Sequence, residues 1–253
     1  QVISRVRQTL KLDVPMRTLF EQPTLQAFAA ACATLQHNES VPMMALQRGA
    51  ALALSYAQER QWFLWQLEPD SAAYHVPSAL RLRGALDIVG LQNSFNQLVA
   101  RHEPLRTTFR QDDERTVQVV HAHGQLTIEQ HSLDAEDNLS SWVQAQIRQP
   151  FDLLNGPLLR VSLLRLAADD HVLVITQHHI VSDGWSMQVM VRELMAMYAA
   201  ERAGKPLELA ALPLQYADFA QWQRQWMEAG ERQRQLDYWV AQLGGEQPVL
   251  ELP

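Results

Sequence analysis

The run His178-His179-Ile180-Val181-Ser182-Asp183-Gly184 decides how this chain is read. It follows an apolar stretch, Val172-Leu173-Val174-Ile175, that reads as a buried strand, and it precedes a helical pattern beginning near Trp185. Two adjacent histidines at the end of such a strand bring an imidazole to a wall that a substrate can reach. Imidazole is the side chain best matched to proton transfer near neutral pH. The carboxylate four residues on, followed by glycine, marks a built loop. Read alone, Asp183 is a helix N-cap that accepts N–H bonds from the first turn, and a lone histidine beside an apolar run is a core residue. Neighbouring residues of a strand point to opposite faces, so His178 and His179 do not share a metal ion easily, and none is expected.

The chain has 253 residues, enough for one large domain or two modest ones. Its apolar fraction of 47% supports an ordinary core, and its net charge of −7 gives no reason to expect nucleic acid or an anionic membrane surface as a partner. A single cysteine, Cys32, excludes an internal disulfide and fits a reducing cytoplasm. No apolar stretch reaches membrane-spanning length, and the N-terminal arginines lie in an amphipathic pattern unlike a signal peptide.

Residues 1–35 read as helical, with Val2, Val6 and Leu10 on one face, a short turn from Met16 to Phe20, and a further helix carrying Leu25, Phe28, Ala29 and Cys32. Residues 37–49 have no period and read as a linker. Beyond them the pattern predicts a helix over 58–67, a strand over 76–82, and a helix capped by Asp87 that buries Leu91, Phe95, Leu98 and Val99. Strands follow at 105–109, 116–121 and 126–130, then a helix at Trp142–Ile147 closed by Pro150. Residues 158–166 and 171–178 read as paired strands. After the motif, Met187, Met190, Val191, Leu194, Met195 and Tyr198 form one helix face, which is core far more often than a cofactor box. The last helical region opens at Pro213 and runs on to Leu243. This order predicts an α/β sandwich and no doubly wound repeat.

Five ordered stretches carry a family likeness. Ser55-Tyr56-Ala57-Gln58-Glu59-Arg60-Gln61-Trp62 resembles an SxAQxRxW motif, with Gln61 in place of the usual aliphatic residue. Arg101 to Phe109 resembles RHExLRTxF, His178 to Gly184 is a complete HHxxxDG, and Tyr216 to Gln223 resembles a fourth motif. Pro150-Phe151-Asp152-Leu153 with Gly156-Pro157-Leu158-Leu159-Arg160 is similar as well. Together they resemble the condensation domain of nonribosomal peptide synthetases, whose fold is that of chloramphenicol acetyltransferase. Leu19-Phe20-Glu21-Gln22-Pro23-Thr24-Leu25 resembles the end of a peptidyl carrier domain. Its phosphopantetheine-bearing serine is not expected here, because Ser4 lacks the glycine-rich setting. The resemblance therefore divides the chain into carrier helices at 1–36, a linker at 37–49, and the N-terminal lobe of a condensation domain at 50–253. Its end would be the start of the crossover to a missing C-terminal lobe.

The resemblance implies catalytic roles for His179 and His178, with His178 packed behind His179 and setting its ring. It implies that Asp183 turns from the tunnel and pairs with Arg60, that Gly184 allows close approach of the backbone, and that Trp185 and Ser186 line the substrate tunnel. It also implies that the substrates arrive on 4'-phosphopantetheine arms delivered by upstream and downstream carrier domains, beside an adenylation domain, with no cofactor bound directly. His179 can act as base toward the acceptor amine or only orient it; both roles stay open. Ile180-Val181-Ser182 resembles the class that joins an L-donor to an L-acceptor. An epimerisation domain shares the fold and the histidines, whereas heterocyclisation domains replace them with aspartates. The carrier-like segment argues against a stand-alone acetyltransferase. A piece that only docks carrier domains is the remaining alternative.

Overall fold

The computed structural model describes residues 2–10, 12, 14–35, 42–48, 51–113, 115–124, 126–132 and 138–245. The chain divides into two compact units, Gln1–Pro42 and Met43–Pro253. Among the described residues no helix is long and apolar enough to cross a membrane.

The first unit holds α1 (Val2–Leu10), α2 (Met16–Glu21) and α3 (Leu25–Ala33). Thr24 caps α3, its hydroxyl oxygen accepting the Ala27 N–H at 3.2 Å. The small core is Ile3, Val14, Phe28 and Cys32, with Val6 and Leu19 packed against it. Val2, Leu10 and Leu25 are exposed, and Ile3 supplies the buried position of α1.

The second unit is built on two sheets. In chain order its elements are β1 (Leu52–Ala53), α4 (Tyr56–Leu67), β2 (His75–Arg83), α5 (Ile88–Arg101), β3 (Thr107–Asp112), β4 (Arg115–Val120), β5 (Ile128–Ser132), α6 (Leu139–Arg148), β6 (Leu159–Ala167), β7 (Asp170–His178), α7 (Gly184–Ala203), α8 (Tyr216–Trp226) and α9 (Arg232–Leu243). The larger sheet has the order β2-β7-β6-β5, with only β5 and β6 parallel, and the smaller has the order β1-β4-β3. The expected strand at 105–109 begins two residues later. Pro104 has no N–H to give a ladder, and Glu103–Arg106 forms a 3-10 turn instead.

β6 and β7 are covered on both faces. Leu159, Val161, Leu163, Leu173 and Ile175 pack under α5 and α7, meeting Phe95, Leu98, Met190 and Leu194. The alternate residues Leu164, Val172 and Val174 pack against Trp142, Val143 and Ile147 of α6. A strand buried on both sides reads as a continuous apolar run, which is why 172–175 carries no alternation. Asp87 caps α5 as expected, accepting the Gly90 N–H at 2.9 Å. A Cβ at residue 90 would stand 2.6 Å from the Asp87 carboxylate, so a larger residue there would push the cap aside. On α7 the buried stripe is Met190, Leu194 and Met197, flanked by Met187 and Tyr198, and Met195 is exposed. The final helical region is broken at Gly230, whose φ of 113° suits glycine alone.

The predicted linker behaves in two ways. Residues 37–41 and 49, and residues 246–253 at the end where the crossover is expected to start, lie outside the described residues, while 43–48 belong to the second unit. Arg48 makes a two-pronged contact with Asp218 of α8, at 2.7 and 3.1 Å, and its Nε donates to Glu103 at 2.8 Å. Asp218 also accepts the N–H groups of Leu46 and Gln215. Burial alone raises the Asp218 pKa, but the guanidinium and these N–H groups outweigh it and hold the carboxyl below the usual range. Removing one partner of a buried pair strands the other charge, so Arg48→Ala is expected to cost about 3–5 kcal/mol in chemical denaturation. Asp218→Asn, which leaves Arg48 its Glu103 partner, should cost less.

Candidate active site

β7 ends at His178, and the chain then folds into a tight loop before α7. Three backbone contacts fix its course. The N–H of His178 donates to Leu158 O at 3.1 Å, that of His179 to Tyr74 O at 2.8 Å, and that of Val181 to His178 O at 3.1 Å. Ile180 is the hydrophobic anchor, buried in a second core with Leu54, Trp62, Phe109, Phe151, Leu153 and Leu158. Burying such a side chain contributes about 1.5–3 kcal/mol. Gln58 of α4 completes the frame. Its side chain closes a capping box with Ser55 and reaches the Ile180 carbonyl with a long 3.4 Å bond.

The two histidines part company where the strand gives way to the loop. His179 is exposed, and its Nδ1 lies 2.8 Å from the Ser182 carbonyl. A carbonyl only accepts, so Nδ1 carries the proton and the neutral ring keeps its lone pair on Nε2. His178 is 3% exposed and its Nδ1 accepts the Ile180 N–H at 3.1 Å. Burial first, then the neighbouring His75 and His179, depress its pKa to about 4. It is a neutral ring that holds the loop from behind. His178 is thus buried and is not among the walls of the cleft that His179 lines, where a catalytic role would need it.

A cleft of about 520 Å³ opens in front of His179. Gln58, Arg60, His102, Asp183, Ser186 and Tyr216 are among its walls. The expected Arg60–Asp183 pair is absent among the described residues. Both side chains are exposed in this cleft, and Asp183 spends its carboxylate on the first turn of α7 instead, accepting the N–H and the hydroxyl of Ser186 at 2.7 Å each. Those bonds, the hydroxyl's first, hold its pKa below the usual range. Capping satisfies an otherwise orphaned helix N–H, and Asp183 sits at the N-cap position of α7. Gly184 starts α7, and a Cβ there would meet nothing within 4 Å, so no contact inside the chain demands glycine. Trp185 lies beside a smaller neighbouring pocket of about 160 Å³, which Ser186 shares with the main cleft.

Two histidines near the loop went unassigned in the sequence. His102 lines the cleft, with its Nε2 2.6 Å from Glu193 of α7, and Arg101 joins the same carboxylate at 3.2 Å. Its place in the RHE triplet was the available signal. His75, at the start of β2, faces His178 across the strand pair. Nothing in its local sequence marks that, because the partner is 103 residues away by their numbering (178 less 75).

The motifs that meet at this cleft are those of a known family. The condensation-domain family model matches residues 50–253. The chain belongs to the condensation-domain family. One subunit of the linear gramicidin synthase of Brevibacillus parabrevis is 43% identical over 267 residues, which cover 100% of this chain and 3% of that protein. Tyrocidine synthase 2 of the same organism is 39% identical, with 100% and 7% covered. The nonribosomal peptide synthetase kk1B of Curvularia clavata is 38% identical, with 98% and 2% covered. The chain is thus similar to a small part of each of these proteins. Among solved structures, the X-domain in its complex with OxyB from teicoplanin biosynthesis superposes with a TM-score of 0.75 at 34% identity, covering 85% of this chain and 48% of that one. The starter condensation domain of rhizomide synthetase RzmA gives a TM-score of 0.70 at 22% identity, covering 79% and 49%, a likeness of fold. The expected chloramphenicol-acetyltransferase-like fold stands, in a family of nonribosomal peptide synthetase acyl-transfer domains.

The loop makes stability depend on pH and on the Asp183 cap. The His178 imidazole titrates near 6.5 in the unfolded condensation domain and near 4 when folded. Between those values the unfolded state binds more protons. Its contribution is therefore complete above about pH 6.5 and is lost as pH falls toward 4, up to roughly 3 kcal/mol. His75, also depressed by burial, adds in the same direction. Denaturation at pH 7.5 and pH 5 should show the loss, with a flatter slope in His178→Gln. An equal slope would place the sensitive proton elsewhere. Asp183→Ala should cost about 1 kcal/mol, the worth of a cap, and Arg60→Ala should stay within about 0.5 kcal/mol. A large loss in Arg60→Ala would restore the buried pair.

Proposed function

We propose that this chain catalyses peptide-bond formation within a nonribosomal peptide synthetase, with His179 as the residue that meets the acceptor amine. The observation that carries this reading is an exposed imidazole, held through Nδ1 by Ser182, that presents its Nε2 lone pair at a cleft large enough for two reacting groups. Nonribosomal peptide synthetase condensation domains work with phosphopantetheine-borne substrates. Here the α-amine of a carrier-bound acceptor attacks the thioester carbonyl of a carrier-bound donor. A C–N bond forms, the tetrahedral oxyanion collapses, the C–S bond breaks, and the thiol leaves with the proton the amine gives up. His179 Nε2 either takes that proton in transit or accepts a hydrogen bond that aims the amine.

Ser186, Arg60 and Asp183 are read as cleft walls, with Gly184 at the turn in front of His179 and Trp185 at the neighbouring pocket. The Ile180-Val181-Ser182 triplet favours an L-donor and an L-acceptor. Residues 1–36 are read as the end of a carrier domain, supported by their folding as a separate three-helix unit and by relatives that span the whole chain. Upstream and downstream carriers and an adenylation domain are the partners this implies, in the cytoplasm, where the free thiol of Cys32 is at home.

This chain covers 48% of the teicoplanin X-domain chain and 49% of the rhizomide starter condensation domain chain. The remainder of such a domain would close the cleft from the other side. Positioning of this kind contributes about 7–11 kcal/mol to a bimolecular reaction, so the 253-residue polypeptide alone should dock loaded carriers yet turn over poorly. In a synthetase carrying this segment, His179→Ala is expected to lower single-turnover dipeptide formation from preloaded carriers by at least about tenfold without loss of solubility. Unchanged product formation would remove His179 from the mechanism.

A further inference from the structure

We infer that His75 is a positioning residue for the reacting loop: its Nε2 accepts the Nε2–H of His178, directly or through one bridging water, and so holds His178 in the tautomer that Ile180 requires. The inference rests on the reading of His179 as the reacting histidine. Ile180 N–H can only donate, so His178 Nδ1 is an acceptor and the neutral ring carries its proton on Nε2. His75 has the complementary arrangement. Its Nδ1 lies 2.6 Å from the carbonyl of Ile147 in the last turn of α6, so Nδ1 is the donor and Nε2 holds the lone pair. That Nε2 is buried and has no partner among the described residues.

One ring therefore has a donor to give and the other a buried acceptor to satisfy, and the two residues stand opposite each other in the β2–β7 ladder. Their ring centroids are 6.3 Å apart at 67°. A bridging water fits that separation, and a small approach of the rings makes the bond direct. Phe151 presses edge-on against both rings, at 4.9 Å from His75 and 6.1 Å from His178, which limits their rotation. The residue before His75 completes the device, since Tyr74 O accepts the His179 N–H. If His178 changed tautomer, its Nδ1–H would face the Ile180 N–H. The loop would then shift, taking with it the Ser182 carbonyl that orients His179.

A merely space-filling His75 would be replaced without effect by phenylalanine, which keeps the ring and removes both nitrogens. The test is a long-range proton–nitrogen correlation spectrum of the 253-residue chain with labelled histidines, with dipeptide kinetics in a synthetase carrying this segment. The wild type should show His178 protonated on Nε2 alone. His75→Phe should show mixed His178 tautomers, and kcat lower by about fivefold or more with the KM for the loaded acceptor carrier within about twofold. His75→Gln, whose carbonyl can accept in place of Nε2, should regain most of both. A wild-type His178 protonated on Nδ1 overturns the inference without any variant, as does an unchanged His178 tautomer or unchanged kcat in a folded His75→Phe. Should His179→Ala leave product formation intact, the reading of His179 fails, and the tautomer alone then decides the role of His75.

Discussion

The second unit depends on one strand being buried on both faces. From Val172 to His178 every residue of β7 is buried, with Leu173 and Ile175 under α5 and α7 and Val172 and Val174 against α6. Such a strand has no solvent face toward which it can slip. A one-residue shift in register would exchange Leu173 and Ile175 for Val172 and Val174, and would present Gln177 and His178 to the wrong layers. The place at which β7 stops is therefore fixed by the core, and the motif loop inherits that precision.

The loop converts this position into chemistry through bonds that each have one direction. A carbonyl that can only accept faces His179 Nδ1, and an N–H that can only donate faces His178 Nδ1. The two imidazoles are thereby set to opposite tautomers one residue apart. The exposed ring offers its lone pair to the cleft, and the buried ring cannot charge at neutral pH because burial opposes it. A neutral buried ring thus stands one residue from an exposed ring whose Nε2 is left open.

Around the loop, separate sequence motifs are drawn together by polar contacts. Asp218 of the fourth motif gathers Arg48, Leu46 and Gln215, while Arg48 also holds Glu103 of the second. Ser55 of the first motif meets Tyr216 of the fourth at 2.9 Å. The aromatic row on α8 continues from Tyr216 through Phe219 and Trp222 to Trp226, the last two stacked at 3°. These contacts bring Gln58, His102, Tyr216 and His179 to one cleft.

The sequence alone determined whatever depends on near neighbours along the chain. The helix spacings, the Asp87 cap and the buried run of β7 are set within a few residues by backbone period and capping chemistry. So was the family, because its motifs are local strings. Tertiary structure decided the rest. Asp183, read by resemblance as the partner of Arg60, serves the helix it begins, a choice settled by the distance to Ser186 and by the exposure of both charges. The pairing of His75 with His178, of His102 with Glu193 and of Arg48 with Asp218 joins residues far apart in the chain. Strand order and packing bring those together, and no local period encodes which buried polar group will answer which.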